Sequence, residues 1–201
     1  MKVYGGVLAG GNSTRMGQDK ACMLLDSKSL LEVVSDTLQR SGSCEVLVNR
    51  NPSQLCSVQD AVIVPDVYQD LGPLSGIHAL LNHISEREKQ QDKRIGLLIL
   101  AVDQPLVSAQ SVTELMAYGI ENQTSASFFV APAQHQAFFP LYIFDTHNAL
   151  SSIEQIICAG DKRSVGYFWT KIGAQQIPLL DHSELLNVNN MQDYKTLCSK
   201  V

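Results

Sequence analysis

Glycines and basic side chains that can bind phosphate are concentrated in one stretch near the start of the chain, Leu8 to Lys20. It contains three glycines together with Arg15 and Lys20. Glycine lets the backbone adopt positive φ and approach a ligand closely, and successive N–H groups in such a turn form a concavity for anions. A guanidinium binds two phosphate oxygens at once, whereas an ammonium acts as a point charge. These residues predict a loop that wraps the phosphates of a nucleotide.

Two well-known phosphate-binding loops do not match this stretch. A P-loop has the pattern G-x-x-x-x-G-K-S/T, but Gly11 and Gly17 are too far apart and Gln18 follows in place of lysine. The dinucleotide-binding pattern G-x-G-x-x-G is also missing from this turn. The alternative is a glycine-rich turn with incidental charges. Two basic residues at fixed offsets after an apolar run, Val3 to Leu8, favour the phosphate-binding interpretation.

Further polar residues follow apolar runs that are typical of buried strands. Asn49, Asp66 and Asp103 each stand at or just after the end of such a run. Ligands of parallel α/β sheets bind beyond the carboxyl ends of the strands, so we expect these side chains near the Gly10 loop. Asp103 is the candidate Mg²⁺ ligand, because Mg²⁺ prefers one or two carboxylates plus phosphate oxygens and water. Ordinary turn or helix-capping chemistry is the alternative explanation for all three residues.

Strands and helices alternate along the chain. Strands are predicted at 3–8, 45–49, 61–64, 95–102, 125–131, 138–144 and 176–180. Helices are predicted from 30 to about 41, 72–91, 108–120, 146–159 and at the end of the chain, the first with a capping box made by Ser29 and Glu32. Pro140 predicts that its strand lies at an edge or a bulge. The alternation predicts an α/β fold with a mainly parallel sheet and helices on both faces.

Composition restricts the possible function. The 201 residues suit one domain, and 45% hydrophobic residues allow a sizeable core. A net charge of −5 argues against a general nucleic-acid binder, which needs a basic surface. The start of the chain lacks a secretory signal, and no run approaches the length of a membrane helix, so we expect a soluble, cytoplasmic protein with no membrane partner.

Cysteine and histidine give no metal-binding pattern. The five cysteines contain no C-x-x-C pair, which predicts free thiols and no zinc site. The histidines at 78, 83, 147 and 182 lack metal-ligand spacing and are expected on the surface of helices or loops.

The stretch from Leu8 to Lys20 resembles the signature L-A-G-G-x-S-x-R-M-G-x-D-K of molybdenum cofactor guanylyltransferases of the MobA type. The resemblance implies a three-layer, Rossmann-like nucleotidyltransferase fold with a mixed, mainly parallel sheet. It implies one nucleotidyltransferase domain over 1–201, with a nucleotide-binding N-terminal part and an acceptor-binding C-terminal part. The implied reaction transfers GMP from GTP to Mo-molybdopterin with Mg²⁺, releases pyrophosphate and yields the molybdopterin guanine dinucleotide (Mo-MGD) cofactor. Other cofactor-biosynthesis or acceptor proteins would be its protein partners.

The resemblance assigns the nucleotide site residue by residue. The implied catalytic residues are Arg15, Lys20 and Asp103, with Lys20 and Arg15 on the phosphates and Asp103 on the metal. The implied nucleotide-binding residues are Leu8, Ala9, Gly10, Gly11, Lys20, Asn49, Asp66 and Asp103, with Asn49 and Asp66 approaching the base and ribose.

Three later segments resemble the family's acceptor site. Gly72 and Gly76 lie in a match to G-P-L-A-G, Arg163 in a match to G-E-R-R, and Asn187 and Asn189 in a match to N-V-N-T-P-E-D. The chain departs from these patterns with Lys162 for arginine, which loses bidentate geometry, with Asn190-Met191 for Thr-Pro, and with Phe139-Pro140 where the family often has His-Pro. An exposed basic turn is the alternative explanation for Lys162 and Arg163.

Other functions are compatible with the same motifs. The cytidylyltransferase branch tends to have Ala-Ala-Gly where this chain has Leu8-Ala9-Gly10-Gly11, and the extra glycine favours a purine. A sugar-phosphate nucleotidyltransferase is a further alternative, although such chains are usually longer. A nucleotide sensor without turnover is the non-enzymatic alternative, which the joint presence of Arg15, Lys20 and Asp103 disfavours.

Overall fold

The computed structural model describes residues 1–10, 19–51, 54, 56, 58–91, 94–130, 138–160 and 163–199. The strands are β1 (Lys2–Leu8), β2 (Leu24–Leu25), β3 (Lys28–Ser29), β4 (Val46–Asn49), β5 (Val62–Val64), β6 (Ile95–Ala101), β7 (Ala126–Val130), β8 (Leu141–Ile143) and β9 (Gln175–Pro178). The α-helices are α1 (Leu30–Arg40), α2 (Pro73–Gln91), α3 (Ala109–Glu121), α4 (Thr146–Ala159), α5 (Val165–Ile172) and α6 (Met191–Cys198). Two 3₁₀ turns span Lys20–Cys22 and His182–Leu185.

The main sheet of the described residues has seven strands in the order β5-β4-β1-β6-β8-β7-β9. The first four strands are parallel to one another, β8 runs antiparallel to both β6 and β7, and β9 is parallel to β7. Leu8 at the end of β1 faces Asn49 of β4 and Ala101 of β6. This register brings the carboxyl ends of the parallel strands to one edge and confirms a mixed, mainly parallel α/β sheet.

Both faces of the sheet are buried under helices. On β6, Leu97 and Ile99 pack with α2, α4 and α5, whereas Leu98 and Leu100 pack with α1 and α3. Successive side chains of a strand point to opposite faces, so a continuously apolar strand is buried on both sides. The three-layer arrangement therefore follows from the apolar run that the sequence shows.

Local sequence signals fix several element boundaries. The Ser29 hydroxyl accepts from the Glu32 backbone N–H, and the Glu32 carboxylate accepts from the Ser29 backbone N–H, which confirms the predicted capping box. Helix α4 ends at Gly160, whose φ of 73° lies in the left-handed region that glycine adopts readily. No helix of the described residues is long and apolar enough to cross a membrane.

Two expectations from the sequence are wrong. Pro140 predicts an edge strand or a bulge, but strand β8 lies between β6 and β7. This interior position is possible because Pro140 precedes the first residue of β8 and removes no donor from the ladder. His78 is buried, at 3% exposure, rather than on the surface, because it lies on the inward side of α2 against the Tyr68 ring. The short β2–β3 hairpin and the two 3₁₀ turns were not anticipated by the periodicity, since each has too few residues to show a period.

Candidate active site

The backbone at the end of β1 is held between the two neighbouring strands. Beyond the last ladder pair, the Ala9 N–H donates to the Asn49 carbonyl at 3.0 Å. On the other side, the Val102 N–H donates to the Leu8 carbonyl at 3.1 Å. These bonds fix Leu8 and Ala9 at the shared carboxyl edge, at the start of the stretch for which the sequence predicts a nucleotide-binding loop.

Asn49 joins three elements at this edge. Its residue is 3% exposed, and its Nδ2 donates to the Val64 carbonyl at 3.0 Å and to Asp66 Oδ1 at 2.8 Å. The first turn of α2 lies against its other amide atom, since a Cβ placed on Gly76 would be only 2.2 Å from Asn49 Oδ1. Gly76 therefore permits a close approach between helix and strand end, a packing role that is separate from the predicted acceptor contact.

Lys20 and Asp103 form an ion pair at the same edge. Lys20 Nζ lies 3.6 Å from Asp103 Oδ2, and the two side chains are 16% and 28% exposed. Desolvation by the surrounding protein raises the pKa of the Asp103 carboxyl above its ordinary value, and the Lys20 ammonium opposes this effect. The site therefore combines a cation and a poorly solvated carboxylate that still reach solvent.

Asp103 is the metal ligand that the sequence predicts, so its surroundings show what kind of metal ion the site could hold. Across the described ranges, no group of three or more histidine, cysteine, aspartate or glutamate side chains is placed to hold a metal. A single carboxylate at the open edge fits Mg²⁺, which takes most of its ligands from substrate phosphates and water. The donor set therefore suits a metal that arrives with a phosphate ligand rather than a structural metal.

The segment around Val188 also reaches this edge. The Val188 N–H donates to the Asp103 carbonyl at 2.8 Å, and the Val188 side chain is buried. Asn187 and Asn189 are exposed on either side of it, and the Asn189 N–H donates to Asp193 Oδ2 at 2.8 Å. The two predicted acceptor residues thus stand beside the predicted metal ligand, although they are distant in sequence.

The remaining predicted residues are not joined to this cluster by the contacts of the described residues. Arg163 follows α4, and its Nη2 donates to the Ile157 carbonyl at 3.4 Å. Gly72 has a φ of 58° just before Pro73, the first residue of α2. Gly11, Arg15 and Lys162 lie outside the described residues.

Sequence reasoning missed two residues of this edge, Arg50 and Asp19. The Arg50 side chain is 1% exposed, and its Nη2 lies 2.5 Å from Asp19 Oδ2. Both residues stand next to predicted site residues, Asn49 and Lys20, which was the one available signal. The sequence could not predict their pairing, because Arg50 follows β4 whereas Asp19 caps the 3₁₀ turn Lys20–Cys22, 31 residues earlier in the chain.

Comparison with known proteins agrees with this geometry. The family model described as "MobA-like NTP transferase domain" matches residues 5–171. The chain belongs to the MobA-like NTP transferase family. The match includes Leu8–Gly10, Lys20, Asn49 and Asp103, whereas Asn187 and Asn189 lie beyond its last residue.

Curated relatives resemble this MobA-like chain in sequence over part of its length, whereas solved structures resemble its whole fold. The molybdenum cofactor guanylyltransferase of Xanthomonas euvesicatoria pv. vesicatoria is 34% identical over 56% of this chain and 53% of its own length. The chain thus matches curated relatives over about half of their length.

Solved structures match over the full chain. Molybdopterin-guanine dinucleotide biosynthesis protein A from Archaeoglobus fulgidus has a TM-score of 0.72 and 22% identity, covering 100% of both chains. A 2-C-methyl-D-erythritol 4-phosphate cytidylyltransferase from Thermus thermophilus has a TM-score of 0.73 and 15% identity, covering 100% of this chain and 98% of its own. At these identities the likeness establishes the fold, which is the Rossmann-like nucleotidyltransferase fold.

Proposed function

We propose that this protein transfers GMP from GTP to Mo-molybdopterin, releasing pyrophosphate and forming the molybdopterin guanine dinucleotide cofactor. The observation that carries the proposal is the Lys20–Asp103 pair at the carboxyl edge of four parallel strands, next to the end of β1 at Leu8 and Ala9. A cation and a metal-binding carboxylate at this edge are what a triphosphate needs. The relatives named molybdenum cofactor guanylyltransferase support the choice of nucleotide and acceptor.

The reaction requires no covalent enzyme intermediate. An oxygen of the acceptor phosphate attacks the α-phosphorus of GTP, the bond between the α-phosphorus and the bridging oxygen breaks, and pyrophosphate leaves. The protein's contribution is to hold the two reactants in line and to neutralise charge. Asp103 would hold Mg²⁺, which supplies charge neutralisation on the triphosphate when bound.

The chain's own residues divide the binding task. Lys20 places its ammonium on the phosphates, and Arg15 is proposed to stabilise the triphosphate or the leaving pyrophosphate. Asn49 and Asp66 are proposed to bind the base and ribose, where a carboxylate can accept from guanine N–H groups. Backbone groups of Leu8, Ala9, Gly10 and Gly11 would line the phosphates.

The acceptor is proposed to bind on the C-terminal side of the same edge. Asn187 and Asn189 stand beside Asp103 through the Val188 bond, which supports this placement. Gly72, Gly76 and Arg163 complete the proposed acceptor site. In this proposal the chain works as one domain, with its N-terminal part binding the nucleotide and its C-terminal part binding the acceptor.

Calorimetric titration with GTP, CTP and ATP in the presence of Mg²⁺ tests the nucleotide assignment. We expect a clear preference for GTP, which weakens in Asp103→Ala and is unchanged in the control Glu86→Ala, an exposed acidic residue of α2. A preference for CTP would overturn the guanine assignment in favour of a cytidylyltransferase. Absence of nucleotide binding would overturn the whole proposal.

Pyrophosphate release in the presence of Mo-molybdopterin tests the reaction. We expect release with GTP that depends on both Mg²⁺ and the acceptor. GTP binding without release, with the acceptor present, would contradict the transferase proposal and identify a nucleotide sensor.

A further inference from the structure

Arg50 is a buried cation directly after β4, and it is engaged by partners from two other segments. Its Nη2 lies 2.5 Å from Asp19 Oδ2, and its Nη1 donates to the Cys56 carbonyl at 2.7 Å. The side chain is only 1% exposed. A buried guanidinium is tolerated only when its charge is paired, so Asp19 is held where the Arg50 guanidinium lies.

Asp19 uses its second carboxylate oxygen to start the turn that carries Lys20. Asp19 Oδ1 accepts from the Ala21 N–H at 3.0 Å, and the Asp19 carbonyl accepts from the Cys22 N–H at 3.1 Å. These bonds cap the 3₁₀ turn Lys20–Cys22. The backbone of Lys20 is therefore fixed by a carboxylate that is itself fixed by Arg50.

We propose that Arg50 is a positioning residue that acts through Asp19 to hold Lys20 toward Asp103 and the nucleotide phosphates. The phosphate part of this inference rests on the proposed function, whereas the structural part does not. Lys20 Nζ lies 3.6 Å from Asp103 Oδ2, at the end of a chain of contacts that begins at Arg50. The hydrogen bonds of Arg50 go to Asp19 and Cys56, so Arg50 acts on the site through the position of Lys20, which pairs with Asp103.

The geometry distinguishes this role from a contribution to stability. Removing one partner of a buried ion pair is strongly destabilising when the other charge stays buried, but the Asp19 side chain is 26% exposed and can be solvated. An apolar residue in place of Arg50 would fill the same space but would give Asp19 no charge partner. We therefore expect Arg50→Met to loosen the Lys20 turn and to weaken phosphate binding in addition to any loss in the free energy of unfolding.

Amide hydrogen exchange tests the structural part without any ligand. In Arg50→Met we expect the Ala21 amide to exchange about tenfold faster or more, since its acceptor is no longer held. In the control Arg87→Met, which removes the partly exposed 3.8 Å pair with Glu45, the Ala21 amide should keep its wild-type rate. Unchanged exchange at Ala21 in a folded Arg50→Met protein would overturn the proposal.

A double-mutant cycle with Lys20 tests the functional part. Arg50→Met should weaken GTP binding by about tenfold in the wild-type background and cause almost no further loss in Lys20→Met. A role that does not act through Lys20 would give the same loss in both backgrounds, and that result would overturn the inference. Arg50→Lys should recover part of the affinity for GTP. The lysine ammonium can pair with Asp19, but it does not reproduce the second hydrogen bond that the guanidinium donates to the Cys56 carbonyl.

A second variant and a measurement without ligand keep the inference testable if Arg50→Met fails to fold or if the protein binds no GTP. If Arg50→Met fails to fold, Asp19→Ala replaces it, since Asp19 is 26% exposed and its loss should release the same turn. If the wild-type protein binds no GTP, the proposed function fails. The exchange rate of Ala21 still decides whether Arg50 holds the Lys20 turn.

Discussion

Asn49 Nδ2 lies 2.8 Å from Asp66 Oδ1 and bridges the carboxyl ends of two parallel strands. The same amide nitrogen also donates to the Val64 carbonyl at 3.0 Å. The neutral amide of Asn49 is thus a hydrogen-bond donor both to the Val64 carbonyl and to the Asp66 carboxylate. The pair fixes the position of Asp66, which the proposed function places at the base or ribose of the nucleotide.

Asn49→Asp replaces this donor by a second carboxylate. We expect the free energy of unfolding to fall by about 1–3 kcal/mol, because the Val64 carbonyl loses its donor and two carboxylates face each other. GTP affinity should fall as well, since Asp66 is displaced. Urea denaturation and calorimetry measure the two effects.

The control for this substitution is Asn122→Asp. Asn122 Nδ2 also donates to a backbone carbonyl, that of Tyr118 at 2.9 Å, but in an exposed position at the end of α3. We expect a change of only about 0.5 kcal/mol there and normal GTP affinity. Equal losses at both positions would contradict a special role for the buried amide.

Gly76→Ala tests the close approach of α2 to Asn49. The added Cβ would lie 2.2 Å from Asn49 Oδ1 and 2.7 Å from Leu8 Cδ2. We expect a loss of about 1–3 kcal/mol in the free energy of unfolding and weaker GTP binding, because Asn49 must move.

Gly119→Ala is the matched control for overpacking. Gly119 is also a helical glycine, and its added Cβ would lie 2.5 Å from Tyr142 Cδ1, away from the strand-end cluster. It should destabilise the protein by a similar amount of about 1–3 kcal/mol and leave GTP affinity unchanged. If Gly119→Ala weakened GTP binding equally, general destabilisation would explain both results.

Titration of Asp103 makes the free energy of unfolding depend on pH, and the raised pKa of its carboxyl sets the sign of that dependence. Burial raises the pKa of Asp103, so the native protein keeps a proton that the unfolded chain has already released. This group favours the native state at low pH, and the contribution is lost as the pH rises through the raised pKa.

Asp103→Asn removes this pH dependence. In metal-free urea denaturation, the free energy of unfolding of the wild type relative to Asp103→Asn should fall from acidic to neutral pH. Asp60→Asn, in an exposed turn, controls for the loss of one negative charge. If the free energy of unfolding of the wild type relative to Asp103→Asn instead rose from acidic to neutral pH, this result would contradict a desolvated carboxyl at Asp103.

Glu88→Ala separates stability from function. Glu88 is 8% exposed, and its carboxylate accepts from the Ile95 N–H at 2.8 Å and from Thr146 Oγ1 at 3.2 Å, at the amino end of β6. Leaving the Ile95 N–H unsatisfied should cost about 1–3 kcal/mol. GTP affinity should be retained because Asp103 lies at the other end of the strand.

The control for Glu88 is the exposed Glu86 on the same helix. Its pair with Lys89 is a surface contact, so Glu86→Ala should change the free energy of unfolding by less than about 1 kcal/mol. If Glu88→Ala lowered the affinity for GTP and Glu86→Ala did not, this result would show that the amino end of β6 influences the site.

The sequence predicts the parts of this structure that are governed by local signals. The capping box at Ser29, the end of α4 at Gly160 and the strand ends at Asn49 and Asp103 depend on neighbouring residues, and the structure confirms them. Parallel topology then brings the strand-end residues together, because all carboxyl ends of parallel strands share one edge.

Relationships between distant segments were beyond the reach of the sequence. The Arg50–Asp19 pair depends on how the 3₁₀ turn that Asp19 caps packs against the end of β4. The interior position of β8 depends on an antiparallel return that no local pattern specifies. His78 was placed on the surface by residue type, although the inward face of α2 buries it. Each of these features is decided by tertiary packing rather than by propensity.

The hydrogen bond from Val188 to Asp103 joins two segments that are synthesised at very different times. The strands that carry the Leu8–Gly10 turn, Asn49 and Asp103 leave the ribosome long before Val188 does, and chains are synthesised more slowly than local structure forms. The hydrogen bond to the Asp103 carbonyl therefore cannot form before residue 188 has been synthesised. This edge of the sheet therefore reaches its full set of backbone hydrogen bonds only when the segment that carries Asn187 and Asn189 has joined the strands made before it.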